Sequence, residues 1–148
     1  MAVDAQRFPN LHEYTKTSDE SDEYNCFAHA CGFADRWIWP GRHWPRGFRT
    51  LTTIATFQAI FAMYGYQPCD DGGLDPEYEK IAVYARGNET KHAAKQLESG
   101  QWTSKLGMGE DITHPDLTSL EGPEYGNVVM FLRRRRHQPK PKDAEGTE

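Results

Sequence analysis

The sequence predicts an α+β fold in which N-terminal helices pack on a small antiparallel β-sheet. Three observations lead there. Two helix-compatible segments come first, about four strand-like segments follow, and helices and strands nowhere alternate as a parallel sheet requires. A chain of 148 residues, 37% hydrophobic and 12% aromatic, is long enough for one domain with one core, and that core leans on Trp, Tyr and Phe.

The elements follow in chain order. Residues 1–23 are polar and acidic, with Asp19, Glu20, Asp22 and Glu23 ahead of the first helix, and read as an arm. A first helix is expected over residues 25–35, capped by Asn25, with no proline before Pro40. Residues 37–47 hold too much Pro and Gly to be regular, and their tryptophans, Trp37, Trp39 and Trp44, must plug the core or line a groove; large aromatics dominate burial, which favours plugging. A second helix is expected from a Thr50 cap, with Leu51, Ile54, Phe57, Phe61 and Tyr64 at three- and four-residue steps before Gly65. Strands are then expected at residues 81–85, 92–97, 101–106 and 126–132, with a Gly-containing hairpin at Glu98-Ser99-Gly100 and a short helix near Thr113-His114-Pro115. The domain is expected to span 24–132, followed by a flexible tail, basic then acidic, over 133–148.

Charge and composition narrow the partners. The net charge of -5 hides a more acidic body, because Arg133 to Arg136, Lys140 and Lys142 sit together near the end. An acidic body argues against nucleic-acid binding by the whole domain and leaves only Arg133 to Arg136 as a contact, whose plainer reading is a solvated tail. No run is long enough for a membrane span. The start has neither a basic cluster nor an apolar segment, so a cytoplasmic location is expected, with signal-independent delivery as the alternative. Three cysteines do not make a disulfide framework, which fits a reducing compartment.

The stretch Tyr24-Asn25-Cys26-Phe27-Ala28-His29-Ala30-Cys31-Gly32 carries the chemistry. A thiol opening a helix lies beside unpaired N–H groups and the positive end of the dipole, which favour thiolate. His92 opens a later strand, and a cysteine and a histidine so placed suggest nucleophilic Cys/His catalysis. Cys31 and Cys69 read as small buried hydrophobes. His29 reads as a core-edge residue or a second partner for the thiol. Asp111 and His114 read as capping or surface residues, and Asp70 and Asp71 as turn residues. A zinc site from Cys26, His29, Cys31 and Cys69 is a further alternative, although this spacing matches closed zinc sites poorly.

The order of a Cys-bearing helix, a second helix, a strand, a His-bearing strand and a polar strand resembles the papain-like cysteine hydrolases, and among them the compact NlpC-type enzymes. Tyr24-Asn25-Cys26 stands where that family has Tyr-Asp-Cys, and His92-Ala93-Ala94 where it has a histidine opening a strand. The chain is also similar, over most of residues 10–133, to a family of small bacterial proteins sharing an Asn-Cys, tryptophan-proline loops, Glu79-Lys80-Ile81-Ala82, and Gly100-Gln101-Trp102-Thr103-Ser104-Lys105-Leu106-Gly107. The papain-like resemblance implies that Cys26 is the nucleophile, His92 the base, and Ser104, twelve positions on, the residue that orients His92. The Cys26 N–H would help bind an oxyanion, with Tyr24 and Asn25 beside it and Trp37, Trp39 and Trp44 bordering the groove. Register decides the third member: a three-residue loop centred on Ser99 puts Ser104 on the face of His92, a two-residue loop offers Lys105 instead, and Asp111 is a further candidate.

The expected function is thiol-dependent hydrolysis of an amide by a peptidase, amidase or deamidase. Its substrate would be a peptide, a protein or a peptidoglycan-like molecule, with no metal or organic cofactor. The alternative is an inactive papain-like module that binds a peptide, glycan or partner protein in an aromatic groove. In a resting hydrolase the Cys26 sulfur is expected near contact with a His92 ring nitrogen, at roughly 3 to 4 Å.

Overall fold

A computed structural model describes residues 6–40 and 44–136. Among these, seven strands form one antiparallel sheet in the order β1-β6-β5-β4-β3-β7-β2. The strands are β1 (Thr15–Lys16), β2 (Gln67–Cys69), β3 (Tyr78–Arg86), β4 (Glu89–Gln96), β5 (Trp102–Lys105), β6 (Asp111–His114) and β7 (Asn127–Arg135), and the helices are α1 (Cys26–Cys31) and α2 (Ile54–Met63). The expected α+β fold, papain-like with N-terminal helices packed on a small antiparallel sheet, is therefore overturned: the fold is β-rich, with a seven-stranded sheet and two α-helices of only six and ten residues.

The physical reasons lie at the element ends. Gly32 stops α1 early because it takes a left-handed conformation (φ 97°), which places its N–H on the last carbonyls and that of Phe33 on Ala28 O at 2.9 Å. α2 is capped by Thr53 rather than Thr50; the Thr53 hydroxyl accepts from the Thr56 N–H at 3.3 Å, and Leu51 is left exposed. The expected helix near Thr113 is the strand β6, because Thr103 and Ser104 of β5 pair with Thr113 and Ile112.

Both expected domain limits fall inside the fold. β1 pairs with β6, and Phe8 and Leu11 are buried in the core, so the N-terminal segment covers the sheet. β7 runs on to Arg135, with Arg133, Arg134 and Arg135 opposite Lys80, Glu79 and Tyr78. These arginines are held: Arg134 bonds Tyr64 O and Glu79, and Arg133 lies 4.0 Å over the Tyr78 ring. The remainder of the expected tail, residues 137–148, lies outside the described residues, as do 1–5 of the arm and 41–43 of the tryptophan loop.

Strand alternation divides the core in two. One face carries Ile81, Val83, Ala93 and Leu132 beneath Phe27, Phe57, Ile60 and Phe61 of the helices. The other carries Ala82, Tyr84, Ala94, Trp102 and Ile112 beneath Phe8, Leu11 and Tyr125 from irregular chain and Leu120 from a single 3-10 turn, Thr118–Leu120. The hairpin joining β4 to β5 pairs Lys95 with Thr103 and Gln96 with Trp102. Those pairs are centred on Ser99, so even positions of both strands, His92 and Ser104 included, share the second face.

Candidate functional site

Asn25 is the hub of the nucleophile segment. Its side-chain oxygen accepts from Ala28 N and Ile38 N, both at 3.1 Å, and its amide donates to Ile38 O at 3.1 Å. One side chain thus caps α1 and clamps the start of the helix to the Trp37–Trp39 segment. Trp39 stacks on Phe27, with centroids 6.0 Å apart and planes within 9°. The Trp37 indole donates to Asp22 O at 2.7 Å.

These contacts build a cleft of about 210 Å³ lined by Asn25, Cys26, Phe27, Trp37, Trp39 and Tyr125 among others. That is below the roughly 300 Å³ at which cofactor-sized pockets begin, and suits one or two amino-acid residues. A larger cavity of about 390 Å³ beside Glu13, Asp116 and Glu121 holds no thiol, and its Asp116 is spent on Ser119 and Thr118. Trp44 lies outside the Cys26 cleft: it meets Phe57 edge-on at 5.7 Å, and its indole donates to Phe48 O and Arg49 O.

Cys26 is 7% exposed, at the cleft wall. Burial pushes its thiol up to about 12, and the N–H groups of Ala93, Cys26 and Phe27, with the Lys105 ammonium, only partly oppose this. The amides act in the direction expected of a helix N-terminus, but a six-residue helix has a small dipole and desolvation wins. The thiol nevertheless lies against the peptide N–H that directly follows His92.

His92 is fully buried on β4. Its ring stacks on Tyr125 with centroids 4.1 Å apart and planes within 4°, and meets Tyr84 edge-on at 5.3 Å. Burial, with some repulsion from His114 and His29, holds its pKa well below the ordinary histidine value, so the ring is neutral. Neither ring nitrogen has a hydrogen-bond partner among the described residues, Cys26 and Ser104 included, so the expected resting contact between thiol and imidazole is not made: Cys26 packs with the helix-side core, and alternation along β4 turns the His92 ring to the other face.

Ser104 does share the His92 face, but its hydroxyl meets His114 Nε2 at 2.8 Å, while His114 Nδ1 faces Asp116 O at 2.9 Å. Ser104 therefore orients His114 and leaves His92 alone. Lys105 points the other way, and its ammonium donates to Ser21 O, Gly107 O and Gly109 O at 2.6 to 2.7 Å. The Tyr24 hydroxyl, expected at an oxyanion site, donates to Asp111 at 2.7 Å. His29 faces Thr103 at 3.0 Å and Asp111 at 3.8 Å, so Asp111 serves Tyr24 and His29. Cys31 is buried in the helix-side core, and Cys69 donates weakly to Asp71 O. Among the described residues no three His, Cys, Asp or Glu side chains are placed to hold a metal ion.

Sequence reading missed Tyr125, which joins Cys26 and His92 in space. Its signal was Gly122-Pro123-Glu124-Tyr125-Gly126, two glycines bracketing one aromatic. No helix among the described residues is long and apolar enough to cross a membrane. No curated protein and no solved structure matches the chain. The family model described as "Domain of unknown function (DUF7689)" matches residues 15–133, which include both halves of the site, and the chain belongs to that family.

Proposed function

We propose that the chain is a thiol-dependent amide hydrolase in which Cys26 is the nucleophile and His92 the general base. The observation that carries this reading is a cleft-side thiol against the peptide that bears a buried imidazole with two unpartnered nitrogens. A buried polar group left unpartnered costs about 1–3 kcal/mol, and chemistry is a reason for a fold to carry that cost.

Both groups are neutral at rest, so the reaction begins from a thiol and an imidazole rather than from an ion pair. As the Cys26 sulfur attacks the amide carbon, its proton passes to His92, and the oxygen takes the negative charge. Collapse of that intermediate breaks the C–N bond, and the amine leaves with the proton from His92. Water then gives a proton to His92 and hydroxide to the thioester, releasing the acid and returning the proton to sulfur. The resting pair makes no S–H···N bond, so this reading requires Cys26 and His92 to approach one another when substrate fills the cleft.

The cleft fits a peptide side chain or terminus flanked by aromatic walls, and three free cysteines suit a reducing, cytoplasmic setting. The test is acylation by p-nitrophenyl acetate, read by intact mass and peptide mapping. One acetyl group is expected on Cys26, none there in Cys26→Ala, and a rate about 10²-fold lower in His92→Phe. Because burial keeps His92 neutral, the rate should show no acid limb near pH 6.5. Equal slow acetylation of Cys26, Cys31 and Cys69 would leave an aromatic binding groove without catalysis.

A further inference from the structure

The structure assigns Tyr125 a catalytic part: we propose that its hydroxyl donates to the carbonyl oxygen of an acyl group held on Cys26. This rests on the hydrolase reading above and adds the group that stabilises the oxyanion.

Tyr125 lines the cleft beside Cys26, yet is only 6% exposed. Its hydroxyl is buried and has no partner among the described residues. A buried phenol ordinarily finds a partner, as those of Tyr24 and Tyr84 do with Asp111 and Leu117 O at 2.7 Å. Tyr24, the residue that sequence resemblance puts near the oxyanion, is thus occupied, while Tyr125 is free to receive a ligand. Burial holds the Tyr125 phenol well above its ordinary value, so it keeps the proton that a donor needs.

The residue is held in position. Gly122 and Gly126 exchange both backbone hydrogen bonds, at 3.0 and 2.9 Å, closing a loop of three residues around Tyr125. Gly126 has φ 76°, and any Cβ there would collide with Ala85 O, so the loop sits directly on β3. Arg86 donates to Pro123 O at 2.6 Å and Arg7 pairs with Glu124 at 3.0 Å, which fixes the other side. Stacking on His92 sets the ring plane. A donor fixed before the reaction stabilises developing charge without reorganising.

Tyr125→Phe keeps the ring and removes the O–H. Two electrophiles separate the roles: p-nitrophenyl acetate forms an oxyanion at Cys26, whereas iodoacetamide alkylates the same sulfur by displacement without one. The variant should acetylate about 10²-fold more slowly, while its alkylation rate and melting temperature stay near wild type. Acetylation of the variant within about threefold of wild type overturns the assignment and leaves the hydrolase standing. Equal loss of both rates also overturns it, showing that the tyrosine only packs. A wild-type chain that does not acetylate at Cys26 sinks the hydrolase reading and this one together.

Discussion

The two faces of the sheet are covered differently, and their polar groups fare differently. Beneath α1 and α2, Lys105 places its ammonium on three carbonyls, and Glu79 takes both Lys95 and Arg134, at 2.9 and 3.3 Å. Asp111 there keeps one oxygen without a partner, and the Thr90 hydroxyl, on a residue that pairs with Ala85, has none either. On the opposite face, under irregular chain, both His92 nitrogens, Gln96 Oε1 and the Tyr125 hydroxyl are all unpartnered. A helix satisfies its own backbone, so side chains beneath it are free to pair with one another and with the turns. An irregular cover pairs fewer of the polar atoms beneath it, and here His92 and Tyr125, stacked on one another, are left unpartnered. One face holds the fold together, and the other keeps groups in reserve for a ligand.

The sharpest way to break that contrast is to unpair the satisfied face. Lys105→Met removes the donor shared by three carbonyls and unties the loop at Gly107–Gly109 from Ser21. We expect a loss of about 3–5 kcal/mol in urea unfolding, with Cys26 chemistry failing only because the fold fails. A variant as stable as wild type would show that the caged ammonium contributes nothing.

Acid should act chiefly through the buried histidines. Burial holds His92 well below the ordinary histidine value, and His29 and His114 below it as well. The unfolded chain therefore takes up protons near pH 6.5 that the folded chain refuses. Stability is full above that pH and is lost as pH falls; an imidazole that stays neutral throughout accounts for on the order of 2 kcal/mol between pH 7 and 5. Denaturation midpoints across that range check the sign, and His92→Phe should flatten the slope by nearly one proton.

The same substitution tests the reserve itself. Replacing a buried, unpartnered imidazole by a ring of similar shape that still stacks on Tyr125 should raise stability by about 1–2 kcal/mol while removing the base. A drop in stability would mean that His92 has a structural partner after all.

How far the sequence foretold this molecule depended on distance along the chain. Local patterns were partly readable: the Asn25 cap and the burial of Phe57 and Phe61 on α2 follow from residues a few positions apart, whereas the hairpin left two registers open, of which the one centred on Ser99 forms. The Gly32 stop was readable too, and was passed over for want of a proline. What could not be read were pairings across the chain. Thr15–Lys16 and Gln67–Cys69 become strands only because β6 and β7 offer them partners. Arg133 to Arg135 looked like a solvated tail because a strand of arginines is stable only when Tyr78, Tyr66 and Glu79 wait beside it. In the site, the Cys26 thiol reaches the Ala93 N–H, one residue beyond His92, but the expected hydrogen-bonding contact with the His92 ring is not made. Ser104 shares the His92 face, as the three-residue loop requires, but turns to His114, a choice made by side-chain geometry that register alone does not fix.

Asn25 offers the smallest and most selective test. As a helix cap, Asp serves as well as Asn, because either oxygen accepts from Ala28 N and Ile38 N. Asp cannot donate to Ile38 O, and it would set a carboxylate against that carbonyl. If Asn25 is only a cap, Asn25→Asp leaves stability unchanged. If the side chain also clamps the tryptophan segment beside Cys26, the variant loses about 1 kcal/mol, and acetylation of Cys26 slows because the Trp37 and Trp39 wall is no longer fixed. The amide in place of the acid is thus a choice about the cleft wall and not about the helix, and the paired readout of stability and acylation rate separates the two.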